Sequence, residues 1–401
     1  NTDQQWLGRQ LADAGYVVAR QVAVGDAPSQ IEQAVREALG RADVVITTGG
    51  LGPTSDDLTR DAIANLLQRP LIEEPSVRAR IDAWFAARNR PQPPSTRLQA
   101  MVPQGAIVLP NAHGTAPGLR IRCGPNPCHP ENHDAWVILL PGPPRELQPM
   151  FVDQVLPWLR AAYPPSDPYA CRLLRSTGLG ESMVQETIAG PLSALARAGL
   201  EIGYCARPGE VDVRLTARGQ TAHALVAEAE ATVRTCLGER LFGAGDASLE
   251  QVVVRLLTER KQTIATAESC TGGRLASRIT DVPGASAVFV GGAVAYSNEL
   301  KQRLLGVRAE TLASGGAVSE GTAREMAEGA RGRLGSDYAL ATTGIAGPSG
   351  GTETKPVGTV YVALATPART EVQRHLNGFD RDTFKNVTCQ QALEMLRCAL
   401  I

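Results

Sequence analysis

Asp43-Val44-Val45-Ile46-Thr47-Thr48-Gly49-Gly50 is a short β-branched run that closes on two glycines. An apolar run of this length, ended by a turn signal, reads as a parallel strand buried on both faces. Its surroundings have the matching periods. Residues 4–14 carry apolar positions at helical spacing, 17–24 read as a strand and 29–39 as a helix. Downstream, 57–67 and 77–89 are helical, and short strands are expected at 107–109 and 136–140. Strand–helix alternation of this kind predicts an α/β layer with a mainly parallel sheet.

Two punctuation marks divide the remainder. Pro164-Pro165-Ser166-Asp167-Pro168 reads as a linker, and Gly243-Ala244-Gly245-Asp246 marks a second boundary. Between them, strands at 171–176 and 211–217 alternate with helices at 182–198 and 222–237, a small α+β unit of the ferredoxin-like kind without an evident catalytic cluster. Its expected role is that of a spacer or oligomerisation domain. Beyond the second boundary, strands at 263–267, 287–296, 338–343 and 359–365 alternate with helices at 249–259, 275–279, 323–333 and 381–400. The expectation is a multidomain α/β protein with domains at 1–163, 169–243 and 246–401.

Bulk properties narrow the function classes. With 43% hydrophobic and 20% charged residues the chain is typical of a globular protein. A net charge of -1 argues against a broad electrostatic grip on nucleic acid or anionic lipid. No apolar run approaches the ~20 residues needed to span a bilayer, and nothing reads as a signal peptide, so a cytoplasmic location is expected. The eight cysteines are too sparse for a disulfide scaffold. One cluster stands out: Cys123, Cys128, His129 and His133 fall in a Pro/Asn-rich loop. All four are zinc-ligand types, but their spacing is not a standard finger, and a surface hairpin is the preferred reading.

In the last domain, polar residues collect where strands end, the usual place for ligands in open α/β sheets. Ala267-Glu268-Ser269-Cys270-Thr271-Gly272-Gly273 is a strand-to-helix turn. It exposes a hydroxyl, and the N–H groups of Thr271, Gly272 and Gly273 would point outward, able to hold a phosphate or an oxyanion. Tyr296-Ser297-Asn298-Glu299-Leu300-Lys301, Thr342-Thr343-Gly344-Ile345-Ala346-Gly347-Pro348 and Asp380-Arg381-Asp382 complete the set. Serine attacks an amide only with a neighbouring base. The domain's one histidine, His375, sits in an ordinary strand-like context, which leaves a Ser–Lys pair with a desolvated lysine. Read from the residues alone, a glycine turn with a serine is more often a simple tight turn.

These blocks, with Gly316-Ala317-Val318-Ser319 and 355–361, resemble the signature segments of the CinA C-terminal family in the same order. The resemblance implies nicotinamide mononucleotide deamidation in pyridine nucleotide salvage, without a cofactor. It makes Ser269 the nucleophile and Lys301 the general base, with Tyr296 against the nicotinamide or the lysine. Glu268, Thr271, Gly272, Gly273, Thr343 and Gly344 would line the substrate pocket, and Arg381 would meet the phosphate.

Thr47-Thr48-Gly49-Gly50-Leu51-Gly52-Pro53-Thr54-Ser55-Asp56-Asp57 is a second glycine-rich turn between strand and helix. Its glycines let N–H groups approach an anion, while Asp56 and Asp57 either cap the helix or hold a divalent metal across a diphosphate. Together with the loops around Asn111, Gly114 and Thr115 and around Gly142, this segment resembles the molybdopterin-binding-like domain of the CinA family, itself similar to MogA and MoeA. That resemblance implies a MogA-like three-layer fold and a Co-, Mn- or Mg-dependent ADP-ribose pyrophosphatase. Gly49, Gly50, Gly52, Thr54, Asn111, Gly114, Thr115 and Gly142 would hold phosphate, and Asp56 and Asp57 metal. Family members carry a strand and a Gly-Asp-Glu-Leu-type loop before the Asn-Thr that opens this sequence; a protein without that loop would lose one wall of the pyrophosphatase site. The partners implied are small nucleotides and a second copy of the chain, with neither nucleic acid nor membrane. The alternative is a non-catalytic nucleotide- or molybdopterin-binding protein, or an adaptor in competence and the DNA-damage response.

Overall fold

A computed structural model describes the chain except residues 1, 125, 127, 129–133 and 166. It divides into two compact units, residues 1–168 and 169–401. Among the described residues no helix is long and apolar enough to cross a membrane.

The first unit contains β1 (Val44–Thr48), β2 (Leu71–Glu73), β3 (Met101–Pro103), β4 (Ile107–Leu109), β5 (Gly118–Cys123) and β6 (Ala135–Leu140). Four of them form a sheet in the order β1-β6-β5-β4. Only β1 and β6 run parallel; β6–β5 and β5–β4 are antiparallel, so this sheet is mixed rather than mainly parallel. Strand β5, with arginines alternating between its buried residues, went unread in the sequence. The segment 17–24, expected as a strand, joins no ladder, and Val17 is 79% exposed. Alternation supplies a strand with two faces, but a strand exists only where a neighbour satisfies its main chain.

The second unit opens with β7 (Tyr169–Thr177), β8 (Glu201–Arg207), β9 (Glu210–Arg218) and β10 (Leu241–Ala244). With helices Glu181–Arg197 and Ala222–Leu237 they run β-α-β-β-α-β in the sheet order β10-β7-β9-β8, all antiparallel. That is a ferredoxin-like split βαβ topology. The rest of the unit is a five-stranded sheet, ordered β12 (Phe289–Val294), β11 (Ile264–Glu268), β13 (Tyr338–Gly344), β14 (Thr359–Ala365), β15 (Thr370–Leu376).

Side-chain size divides the two faces of this sheet. Ile264, Leu340, Val360, Val362 and Leu364 point into one core against helices Leu249–Arg260 and Arg381–Leu400. The intervening positions are Ala265, Ala267, Ala339, Ala341, Ala363 and Ala365, facing Ala323, Met326, Ala327 and Ala330 of helix Glu320–Leu334. Small residues on both sides let that helix come close, and its Gly329 lies against the carbonyl of Leu305, at the end of helix Asn298–Leu305. A buried polar seam ties the ferredoxin-like part to this sheet's helices. Gln390 donates to Glu210 of β9 at 2.6 Å and accepts from Arg278 at 2.8 Å. Arg175 donates to the Ala247 carbonyl at 2.6 Å, and Arg397 to that of Glu239.

Gly329→Ala is expected to cost about 1–3 kcal/mol by overpacking, because its methyl would overlap the Leu305 carbonyl oxygen. Urea unfolding measures it, and a loss no greater than that of an exposed Gly332→Ala control would refute the close-approach reading.

Candidate active site

Strand β11 enters the sheet first; the chain then places β12 on one side of it and β13 on the other, both parallel to it. The carboxyl end of β11 is therefore a topological switch point, where a crevice opens between diverging connections. Ser269 follows immediately. Its N–H donates to the Thr342 carbonyl at 2.9 Å, which holds it in register with β13.

Lys301 reaches the same point from helix Asn298–Leu305, whose start is capped by the Ser297 hydroxyl. It is 1% exposed. Its Nζ stands 3.1 Å from Ser269 Oγ, 2.9 Å from the Ala295 carbonyl oxygen and 3.1 Å from that of Tyr296. Burial pushes the amine below the ordinary lysine range. His375 lies on β15, three strand spacings from β11 and so roughly 14 Å away, too far to serve Ser269.

The turn itself differs from the arrangement read in the sequence. Glu268 is 1% exposed and faces inward. Its carboxylate accepts the N–H groups of Gly273, Leu275 and Ala276 at 2.9, 3.0 and 2.8 Å, so it satisfies the start of the next helix and does not line a pocket. The Gly272 N–H turns back to the Ser269 carbonyl at 3.2 Å. Of the three expected outward donors only Thr271 N–H remains, joined by Cys270 N–H, neither with a main-chain acceptor among the described residues. The Thr271 hydroxyl is buried against that of Thr342 at 2.7 Å, and burial lifts the neighbouring Cys270 thiol to about 12. Thr343 is likewise buried, its hydroxyl donating to the Ala317 carbonyl at 2.7 Å. Gly344 is a glycine because a Cβ there would press on β14.

At the mouth, Tyr296 is 61% exposed and its hydroxyl accepts from Arg381 Nη2 at 2.8 Å. Arg381 Nη1 donates to the Gly347 carbonyl at 2.8 Å. Sequence reading missed Lys385, one turn further along the same helix. Its ammonium overhangs Gly272, 3.5 Å from where a side chain there would begin. The signal available was its four-residue spacing from Arg381.

In the first unit the three glycine loops meet at the ends of β1 and β6. Gly142 packs on Gly49, and Gly49 N–H donates to the Leu140 carbonyl at 2.9 Å. Gly50 is closed onto Thr59, Gly52 onto Asp57 and Gly114 onto Glu146. Asn111, expected to touch phosphate, is buried instead, donating to the Ala116 carbonyl at 2.8 Å and to Glu146 at 2.7 Å. Asp57 accepts from Thr54 N–H at 3.0 Å and from its hydroxyl at 2.5 Å, which ties the loop together; it does not cap helix Thr59–Leu66, whose start has no side-chain cap. Asp56, Thr54 and Thr115 are left on the accessible side of the loops. Among the described residues no three metal-ligating side chains converge. Burial raises the Cys123 thiol to about 11, against its serving as a thiolate, and Cys128 is half-buried. His129 and His133 lie outside the described residues.

Comparison with known proteins covers nearly the whole chain. Residues 1–161 match the probable molybdopterin binding domain, 171–243 the damage-inducible protein CinA KH domain, and 246–400 the CinA C-terminal domain. A putative competence-damage inducible protein of Moorella thermoacetica is 44% identical over 99% of this chain and 94% of its own length. One from Symbiobacterium thermophilum is 45% identical over 100% and 95%. Among solved structures, the competence/damage inducible protein CihA of Agrobacterium tumefaciens is 40% identical over 38% of this chain and 96% of its own, with a TM-score of 0.37. Carried by its full-length relatives, the assignment is plain: the chain belongs to the CinA family of competence-damage inducible proteins.

Proposed function

We propose that the C-terminal domain is an amidohydrolase that converts nicotinamide mononucleotide to nicotinate mononucleotide and ammonia. The observation that carries this reading is the buried 3.1 Å contact between Lys301 Nζ and Ser269 Oγ. As a neutral amine, Lys301 has two N–H groups for the two carbonyls and a lone pair left for the serine hydroxyl. As an ammonium, it has three donors for the same three oxygens. Both proton states of a general base are therefore accommodated without movement.

Lys301 takes the hydroxyl proton as Ser269 Oγ bonds to the carboxamide carbon. Cys270 and Thr271 N–H are the donors available to the oxyanion, the first being the residue after the nucleophile. As the C–N bond breaks, the proton on Lys301 passes to the departing nitrogen, which leaves as ammonia. Water then attacks the nicotinoyl ester, giving a proton to Lys301, which returns one to Ser269. The scheme needs no metal. The choice of substrate rests on the family resemblance.

For the N-terminal domain we infer a metal-dependent ADP-ribose pyrophosphatase, supported by the meeting of three glycine loops beside Asp56. With Asp57 committed to Thr54, a divalent Mg, Mn or Co ion would take Asp56 and the substrate's own phosphate oxygens. It would supply Lewis-acid polarisation of the diphosphate.

Ammonia release from nicotinamide mononucleotide with EDTA present is expected for the wild type. It should fall at least about 10³-fold in Ser269→Ala and about 10²–10⁴-fold in Lys301→Ala, with nucleotide binding kept. Unchanged turnover in Lys301→Ala would rule out the dyad. The rate should climb with pH as Lys301 loses its proton, with an inflection below the ordinary lysine value of about 10.4; an inflection at or above it removes Lys301 as the base. AMP release from ADP-ribose is expected with added Co²⁺, Mn²⁺ or Mg²⁺ and should stop with EDTA. Nucleotide affinity without AMP would instead make that domain a binding module.

A further inference from the structure

Helix Arg381–Leu400 presents two cations to the Ser269 turn, four residues apart and hence on one face. They are not equivalent. The Arg381 guanidinium is spent on the Tyr296 hydroxyl and the Gly347 carbonyl, which close the mouth of the site. Lys385 is half-buried and makes no hydrogen bond among the described residues, although its charge is felt at Asp382. The acids nearest in sequence are already committed. Asp380 caps the helix through the N–H groups of Asp382 and Thr383 at 3.0 and 3.1 Å, and Asp382 pairs with Arg274 at 2.7 Å.

The Lys385 ammonium instead stands over Gly272, where positive φ (63°) and the lack of a side chain keep the surface bare. Gly272 N–H bonds back to the Ser269 carbonyl, closing a turn. Such a turn spans less than about 7 Å, so the ammonium lies within a nucleotide's length of the Ser269 hydroxyl. A half-buried cation with three unused donors at this distance from a nucleophile suits a doubly charged group on the far end of the substrate.

We propose that Lys385, rather than Arg381, holds the phosphate monoester of the nucleotide while Ser269 meets its carboxamide; Arg381 acts by fixing Tyr296 and the Gly347 loop. The proposal rests on the amidohydrolase reading of this domain and extends it to the substrate's second anchor. It makes the site selective for a phosphorylated ribosyl amide over the free riboside.

Two measurements on the full chain test it, using wild type, Lys385→Gln and Lys385→Arg. The first is the ratio of kcat/KM for nicotinamide mononucleotide to that for nicotinamide riboside. Losing a charged hydrogen bond to phosphate should lower this ratio about 10- to 100-fold in Lys385→Gln, and Lys385→Arg should restore most of it. The second is calorimetric titration with ribose 5-phosphate at low salt, with a Kd expected to rise by the same factor in Lys385→Gln. An equal loss on both substrates, or an unchanged Kd, overturns the proposal. If the wild type releases no ammonia from either amide, the amidohydrolase reading fails, and the titration alone decides whether Lys385 is the phosphate ligand.

Discussion

A lysine sealed to 1% exposure, with no carboxylate paired to it among the described residues, is the constraint around which the C-terminal domain is arranged. An isolated buried charge is untenable unless it is neutralised or hydrogen-bonded. Here the compensation comes from main chain: two carbonyls at the exit of β12 and one serine hydroxyl at the exit of β11. Main-chain acceptors are dipoles, not charges, so they hold the amine without pinning it in its protonated form. A carboxylate in their place would have stabilised the ammonium.

Each flanking element serves that geometry. The parallel pairing of β11 with β12 brings the two strand ends level, and the Ser297 cap starts the helix that carries Lys301 back over the Ala295 and Tyr296 carbonyls. On the other side, Glu268 takes up the N–H groups of the helix that follows the turn, which fixes the turn from within. Donors so occupied cannot cradle an anion. The cations that helix Arg381–Leu400 carries beside the turn, Arg381 and Lys385, are side-chain donors instead.

Much of this was legible before the fold was known. Four of the five strands of the C-terminal sheet were readable from their runs, β15 being the exception, while Ser269 and Lys301 were marked out by the family resemblance of the blocks that carry them. Other features, beyond β5 and Lys385, were not. A glutamate beside a glycine turn looks like a pocket residue, and only the backbone path reveals that it caps. The outward direction of Gly273 N–H was inferred from helix geometry alone, without the competing acceptor Glu268. In the first unit, the glycines at 50, 52 and 114 looked like approaches to phosphate, yet each lies against a side chain of the protein itself. The segment 17–24 shows the limit from the other direction, since its alternation is real but no ladder receives it.

The polar seam around Gln390 bears on how the second unit holds together as a folding entity. Glu210, Gln390 and Arg278 satisfy one another across the boundary between the ferredoxin-like part and the last sheet, and Arg175 and Arg397 each end on a carbonyl beyond their own segment. Parting the two halves would strand several buried polar groups at once, each worth about 1–3 kcal/mol of desolvation when left unpaired. The halves are thereby joined into one cooperative unit in which neither reaches its full stability alone. Whatever perturbs the ferredoxin-like part is felt in the two helices that frame the Ser269 turn.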